Sequence, residues 1–257
     1  MPRPDSRSPR PMGSHNRQWI GGRHAVVEAL RAGRWLPLEI ASVAQADDES
    51  LAEPLALART LGLPVQRVSA AELDRLCRSD DHQGLAMRLP EFPYAALDDL
   101  ISAAPRPTAL LLLDRIQDSH NFGAILRSAE VFGFDGVIVA AKGQSPVNAQ
   151  VVRSSAGAVH HLAVVRVDRL EDAAAAVKQA GCRLYAATPE DAVSLSTVDL
   201  SRPSALLVGN EAEGISAALL ALSDARVRIP QFGETGSLNA AVSAGILCYE
   251  LRRQRQR

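Results

Sequence analysis

Three short loops carry the residue types that could do chemistry. The first runs Asp114-Arg115-Ile116-Gln117-Asp118-Ser119-His120-Asn121-Phe122-Gly123 and on through Ala124, Ile125 and Leu126 to Arg127. The second is Gly209-Asn210-Glu211-Ala212-Glu213-Gly214, and the third is Ile229-Pro230-Gln231-Phe232-Gly233-Glu234-Thr235-Gly236-Ser237-Leu238-Asn239. Each follows an apolar run that reads as a strand and leads into a helical pattern, so unpaired backbone N–H groups at helix starts await a polar partner. The side chains on offer are the carboxamides of Asn121, Asn210 and Asn239, the carboxylate of Glu211, the hydroxyl of Ser237 and the guanidinium of Arg127. Groups of this kind orient a polar substrate and stabilise developing negative charge; an arginine also matches phosphate geometry. Taken one at a time, each has a plainer reading. Asn121 is placed as a helix cap, Arg127 as a surface arginine, and Gly209–Gly214 as a strand-to-helix turn in which Gly209 permits close backbone approach.

The elements that must position these loops alternate along the chain. Apolar runs predict strands at 109–113, 137–140, 162–167, 183–187, 206–209 and 227–229. Helical patterns predict helices at 121–132, 147–155, 170–180, 215–221 and 239–253. Continuous runs such as Leu110-Leu111-Leu112-Leu113 indicate strands buried on both faces by crossover helices. In helix 121–132, Phe122, Ile125, Ala129 and Phe132 form the buried stripe, Gly123, Arg127 and Glu130 lie on another face, and Gly133 ends the helix. Small residues at Ala240, Ala241, Ser243, Ala244 and Gly245 allow the last helix to pack closely. Before residue 90 a smaller α/β pattern is legible: helices at 23–32, 49–61 and 70–77, strands at 38–44, 65–68 and 85–89. Prolines at 90, 93, 105 and 107 separate the halves with an extended stretch, within which 95–104 has room for a short helix.

Composition sets limits. The chain has 257 residues, 47% of them hydrophobic, with a net charge of −1, which is the composition of an ordinary soluble protein and not of a polycation. No run has transmembrane length, and the Pro-, Arg- and Ser-rich start to about residue 18 reads as a disordered arm rather than a signal peptide. Three scattered cysteines fit reduced thiols and a cytoplasmic location. Arginines gather at the two ends (Arg3, Arg7, Arg10, Arg17, Arg23, Arg31 and Arg34; Arg252, Arg253, Arg255 and Arg257), either as solvated tails or as phosphate contacts. His160 and His161 fall in a strand pattern, where their side chains would diverge and could not share a metal. No Gly-x-Gly-x-x-Gly fingerprint and no P-loop is present, which speaks against dinucleotide and nucleoside-triphosphate chemistry.

In their order and spacing the three loops resemble the signature of the SpoU (TrmH-like) branch of the SPOUT RNA methyltransferases, over about the last 150 residues. The N-terminal unit, through Gly21-Gly22-Arg23-His24-Ala25-Val26 and the turn His82-Gln83-Gly84, resembles the ribosomal-protein-like (L30e-like) RNA-binding domain of that family. The resemblance implies an α/β fold with a mostly parallel sheet and a deep C-terminal trefoil knot, although knots are rare on general grounds. It implies an arm (1–18), an L30e-like substrate-binding domain (19–90), a linker (91–107) and a knotted methyltransferase domain (108–257). It implies S-adenosylmethionine as cofactor, cradled by Thr188, Gly209, Asn210, Gly214, Ile229, Pro230 and Leu238. The catalytic group would be Asn121, Arg127, Glu211, Ser237 and Asn239, with no metal.

The family proposal makes the arginine a base; a guanidinium resists deprotonation, and Arg127 reads better as a clamp on a neighbouring phosphate. The implied partners are RNA, most closely a guanosine of 23S ribosomal RNA with transfer RNA as the alternative, and a second copy of the chain docked through the last helix. A non-catalytic RNA-binding relative of the same fold is the other class, and the presence of Arg127 and Asn239 argues against it. Ala212, Gln231 and Ala240 depart from the Gly, Met and Val usual in the family, at positions expected to carry no chemistry.

Overall fold

Alternating inward and outward side chains decide the layers. The computed structural model describes residues 19–43, 49–102, 109–234 and 236–256, so the arm read at 1–18 lies outside the described residues. The N-terminal unit comprises β1 (Trp19–Gly21), α1 (Arg23–Ala32), β2 (Glu39–Val43), α2 (Ala52–Thr60), β3 (Val65–Val68), α3 (Ala70–Cys77) and β4 (Leu85–Arg88). Its sheet has the order β1-β4-β2-β3, antiparallel except for the β2–β3 pair. Strand β1, unread in the sequence, is short and sits beside the Gly21-Gly22 turn, where periodicity gives no signal. The helix read at 49–61 opens with a 3₁₀ turn at Glu49–Leu51.

After α4 (Leu97–Ser102), the larger unit runs β5 (Ala109–Asp114), α5 (Ser119–Val131), β6 (Gly136–Ala140), α6 (Ala149–Ser154), β7 (Ala163–Val167), α7 (Leu170–Gln179) and β8 (Arg183–Ala187). It continues through β9 (Val193–Ser194), β10 (Ser204–Gly209), α8 (Ala217–Leu222), β11 (Ala225–Arg228) and α9 (Ala240–Arg255). These strands make a seven-stranded sheet, β7-β6-β5-β10-β8-β11-β9, every pair parallel. Strand β5 is buried along its whole length. Leu111 and Leu113 join the core beneath α5, α6 and α9, while Leu110 and Leu112 join the one beneath α7 and α8. That is the two-sided burial a continuous leucine run demands.

The stretch after Pro90, expected as an extended linker, is extended but packed. The Ala95 N–H donates to the Val164 carbonyl at 2.9 Å, placing it as a parallel bridge on the free edge of β7, and Leu100 of α4 is buried under the same sheet. Trp35 packs edge-on against Phe92 (4.9 Å between ring centres), Phe92 against Tyr94 (4.9 Å), and the Arg166 guanidinium lies 4.1 Å over the Tyr94 ring. One apolar core therefore runs from the small sheet into the large one.

His160 and His161 depart from the strand expected there. Ala158–His160 is a 3₁₀ turn, which the β-branched neighbours disguised. His160 is buried against Trp35 at 5.2 Å, whereas His161 reaches Glu28 of α1 at 2.8 Å. Both ring nitrogens of His160 lack hydrogen-bond partners among the described residues, and burial pushes its pKa down to about 4. The unfolded chain, with an ordinary histidine near 6.5, binds that proton first. Stability held above pH 6.5 should therefore be lost as pH falls toward 4, by up to about 3 kcal/mol from this residue. His160→Phe should keep the ring packing and flatten this part of the stability–pH curve, as read by thermal melts between pH 7 and pH 4.

Candidate active site

The sheet order reverses between β5 and β10: from β5 the chain winds outward through β6 and β7, and later returns to fill the other side. At such a switch point the loops leaving the carboxyl ends of the two strands diverge and open a crevice. The first loop leaves β5, the second leaves β10, and the third follows β11, so the three sequence loops converge on this edge.

Helix α5 begins two residues earlier than the sequence pattern suggested. Its cap is Asp118, whose carboxylate accepts the Asn121 backbone N–H at 2.7 Å, so Asn121 lies within the first turn and is no cap. That leaves its carboxamide free to reach across. Asn121 Nδ2 donates to Glu211 Oε1 at 2.6 Å, and Asn121 Oδ1 accepts from Asn239 Nδ2 at 3.0 Å. Glu211 Oε1 also accepts from Asn239 Nδ2 at 3.4 Å and from the Ala240 N–H at 3.3 Å. Asn239 is the true cap of α9, its Oδ1 taking the N–H groups of Ala241 and Val242 at 2.9 and 3.2 Å. Three segments separated in sequence thus share one hydrogen-bonded carboxylate.

Arg127 is exposed on α5 and has no hydrogen bond or ion pair among the described residues, which leaves its guanidinium available to a ligand. Gly123 is buried rather than aligned with it on a polar face: a methyl group there would lie 2.5 Å from Ser154 Cβ, so the glycine lets α6 approach. Phe132 is only half-buried, just past the end of α5, which closes at Gly133 in left-handed backbone as expected. Three of the four tail arginines make intramolecular bonds, and Arg257 lies outside the described residues. Arg252 donates to the Phe132 and Gly133 carbonyls (2.8 and 2.9 Å), Arg253 pairs with Glu250 (2.7 Å), and Arg255 donates to the Leu200 and Arg202 carbonyls (3.0 and 2.7 Å).

Next to the carboxylate hub lies a cleft of about 400 Å³, in the range of small-molecule sites. Thr188, Gly209, Asn210, Gly214, Ile229 and Leu238 line it, with Glu211 and Ser237 at its rim and apolar Val208, Leu220 and Val227 among its walls; Pro230 is outside the lining. Proline has no N–H to offer and its ring is exposed here. Gly209, which lines the cleft, also makes a close contact within its own loop. A Cβ on it would fall 2.3 Å from the Gly214 carbonyl carbon, so its close approach is to its own loop. Asn210 Oδ1 accepts the Ala212 and Glu213 N–H groups (2.7 and 3.0 Å) and closes that loop from inside. No group of three or more His, Cys, Asp or Glu able to hold a metal occurs among the described residues.

Residues 108–249 match the SpoU rRNA methylase family, and residues 19–95 match the RNA 2′-O ribose methyltransferase substrate-binding family. The chain belongs to the SpoU family of RNA methyltransferases. An uncharacterized tRNA/rRNA methyltransferase of Mycobacterium ulcerans is 35% identical over 237 residues, 91% of this chain and 76% of the relative. Among solved structures, a SpoU methyltransferase of Streptomyces viridochromogenes in complex with AdoMet is 28% identical with a TM-score of 0.80, covering 94% of this chain and 91% of that one. An AdoMet-bound rRNA methyltransferase of Sinorhizobium meliloti is 27% identical with a TM-score of 0.79, covering 93% and 87%. A mostly parallel α/β sheet carrying a SpoU methylase unit, and a smaller α/β unit before it, are what the loops and the strand pattern implied.

Asn239 has two separable roles, a helix cap and a donor to the hub. Asn239→Ala should lose both and cost about 1 kcal/mol of stability. Asn239→Asp should recover the cap, yet set a second carboxylate beside Glu211 and remove the donor to Asn121. Paired thermal melts and methyl-transfer assays on the two variants should show stability returning in the aspartate while transfer stays depressed.

Proposed function

We propose that this SpoU methyltransferase uses S-adenosylmethionine to methylate the 2′-oxygen of a ribose in RNA, with a guanosine of 23S ribosomal RNA as the target. The observation that carries the reading is the Asn121–Glu211–Asn239 network at the mouth of the cleft, with Arg127 unpaired on the same helix as Asn121. The substrate-binding match over residues 19–95 supports ribose chemistry, and the small α/β unit with its His82-Gln83-Gly84 turn supports a ribosomal target. In this reading residues 19–90 take the RNA, residues 108–257 hold the donor and the chemistry, and the chain in the loop region is threaded as a knot.

The cleft fits the donor. Gly209, Ile229 and Leu238 line a volume with apolar walls, and its lining carries three acidic residues, Glu190, Glu211 and Glu213, against one basic residue, Arg228, a balance that suits a cationic ligand. When bound, S-adenosylmethionine supplies a methyl group on a positively charged sulfur, which is electrophilic without further activation. The protein's task is therefore alignment of the ribose oxygen and care of the charge that oxygen develops. Alignment is worth roughly 7–11 kcal/mol at best. Asn121 and Asn239, held in fixed rotamers by Glu211, present carboxamide groups to the ribose, and Ser237 adds a hydroxyl at the rim. Arg127 binds the adjacent phosphate and, as a permanent cation, stabilises the negative charge that builds on the 2′-oxygen as the hydroxyl proton passes to solvent.

The apolar side chains exposed on α5 and α9, Val131, Val242 and Tyr249, support a homodimer formed through the C-terminal unit. No helix of the described residues is long and apolar enough to cross a membrane; the proposed site of action is the cytoplasm, where ribosomal RNA is processed.

Calorimetry should detect binding of S-adenosylmethionine or its demethylated product and none of NAD. RNA methylated by the enzyme should resist alkaline cleavage at the modified nucleotide, because the blocked 2′-oxygen can no longer attack its phosphate; alkali-labile product would refute ribose methylation. Mapping ribose methylation in a strain lacking the protein would identify the nucleotide, and an unchanged 23S pattern would turn the target toward transfer RNA. Arg127→Ala should lower transfer by about two orders of magnitude or more, with stability changed by no more than about 0.5 kcal/mol, since the side chain is exposed.

A further inference from the structure

Arg115 occupies left-handed backbone with φ of 60°, a conformation that side-chain-bearing residues rarely adopt. Such strain persists where the surroundings over-determine it, and here they do. The guanidinium straddles two structures that must stay in register. Toward β5, Nε donates to Asp114 Oδ1 at 2.9 Å and Nη2 to Asp114 Oδ2 at 3.3 Å, a two-point pairing with a carboxylate whose side chain is only 9% exposed. Toward the loop after β10, Nη1 donates to Glu213 and Nη2 to the Gly214 carbonyl at 3.2 Å. The Arg115 carbonyl in turn accepts from Asn210 Nδ2 at 3.3 Å, and Asp114 Oδ2 accepts the Ser216 N–H at 2.8 Å. The loop is gripped at 210, 213, 214 and 216 from a single two-residue corner.

We infer that Arg115 is a positioning residue for the reaction, a clasp that holds the Asn210–Gly214 loop against the end of β5. In that place the loop both walls the donor cleft and presents Glu211 to Asn121 and Asn239. Glu211 itself makes no contact with Arg115; it is carried by a loop whose two ends Arg115 fixes. The buried Asp114 carboxylate anchors the guanidinium at the strand end; of its two bonds to the loop, the one to Glu213, which is 66% exposed, is screened by water, and the one to the Gly214 carbonyl is independent of that charge. The assignment rests on the proposed reading of the cleft as the donor site.

Glycine adopts φ near 60° without strain, so Arg115→Gly removes the guanidinium's bonds to Glu213 and Gly214 while leaving the corner's backbone path, and its bonds to Asn210 and Ser216, intact. Arg115→Lys keeps the charge but cannot span both partners with a planar fork, and Glu213→Gln loosens only the exposed end. In the free protein, hydrogen exchange at residues 211–214 should quicken at least tenfold in Arg115→Gly, with exchange in β5 and β10 unchanged. S-adenosylmethionine affinity by calorimetry should fall about tenfold and kcat about tenfold, with KM for RNA unmoved; Arg115→Lys should recover only a minor part, and Glu213→Gln should lose less than either. Wild-type protein that fails to bind S-adenosylmethionine would overturn the reading of the cleft and this assignment with it. Wild-type protein that binds it, with loop exchange, affinity and kcat unaltered in Arg115→Gly, would overturn the role of Arg115 alone. A uniform rise in exchange across the large sheet would also overturn it, by making Arg115 a general stabiliser.

Discussion

The carboxylate of Glu211 is the point on which the site depends. It takes hydrogen bonds from Asn121, Asn239 and the Ala240 N–H, and so joins the first turn of α5, the loop after β10 and the start of α9. An anion at the mouth of α9 is favoured by that helix's unpaired N–H groups and by its dipole. Because the acceptor is one oxygen serving several donors, the geometry of each carboxamide is set by the others. Such a network is worth most when every member is satisfied. It holds the Asn121 and Asn239 side chains in one arrangement, and in the proposed reaction that preorganisation would serve an intrinsically reactive donor.

Everything around the hub serves to bring three distant segments to one edge. Parallel strands direct their carboxyl ends the same way, so the loops leaving β5, β10 and β11 must emerge together, and the reversal of strand order opens the space between the first two. Two-sided burial of β5 keeps that edge rigid. Glycine is spent where backbones touch: Gly123 under α6 and Gly209 against Gly214 leave no room for a methyl group. The left-handed Arg115 completes the edge from the β5 side.

Much of this was legible in the residues. The leucine run of β5 and the apolar strands after it announced a buried parallel sheet, because a strand covered on both faces cannot alternate. The apolar strand before each of the three loops announced that all would emerge at the carboxyl ends of β5, β10 and β11. Less was legible where a local pattern had two solutions. Asp118 and Asn121 are both good caps, and only the hydrogen bond to the Asn121 N–H decides between them. The His160 turn reads as strand because Val159 and Leu162 are apolar on both sides of it, yet the chain coils there to seat an imidazole on Trp35. The C-terminal arginines look like a phosphate-binding tail, but long side chains fold back readily, and these satisfy carbonyls at the ends of α5 and β9–β10 instead. Arg115 gave no signal, since its importance lies in a backbone angle and in partners some hundred residues away.

The aromatic packing of Trp35, Phe92 and Tyr94, with Ala95 added to the edge of β7, has a consequence for how an RNA would be handled. A unit hung on a loose tether searches a volume, and lets one enzyme accept targets at many distances from its anchoring point. A unit soldered to the catalytic sheet through a shared core cannot search. Under the proposed division of labour it behaves as a fixed gauge: a nucleic acid gripped by the small unit would offer to the cleft only those nucleotides that its own folding places at one span and one angle. Adaptation then falls to the RNA, whose helices and loops must bend or open to meet the gauge, and selectivity follows from shape before any base is read.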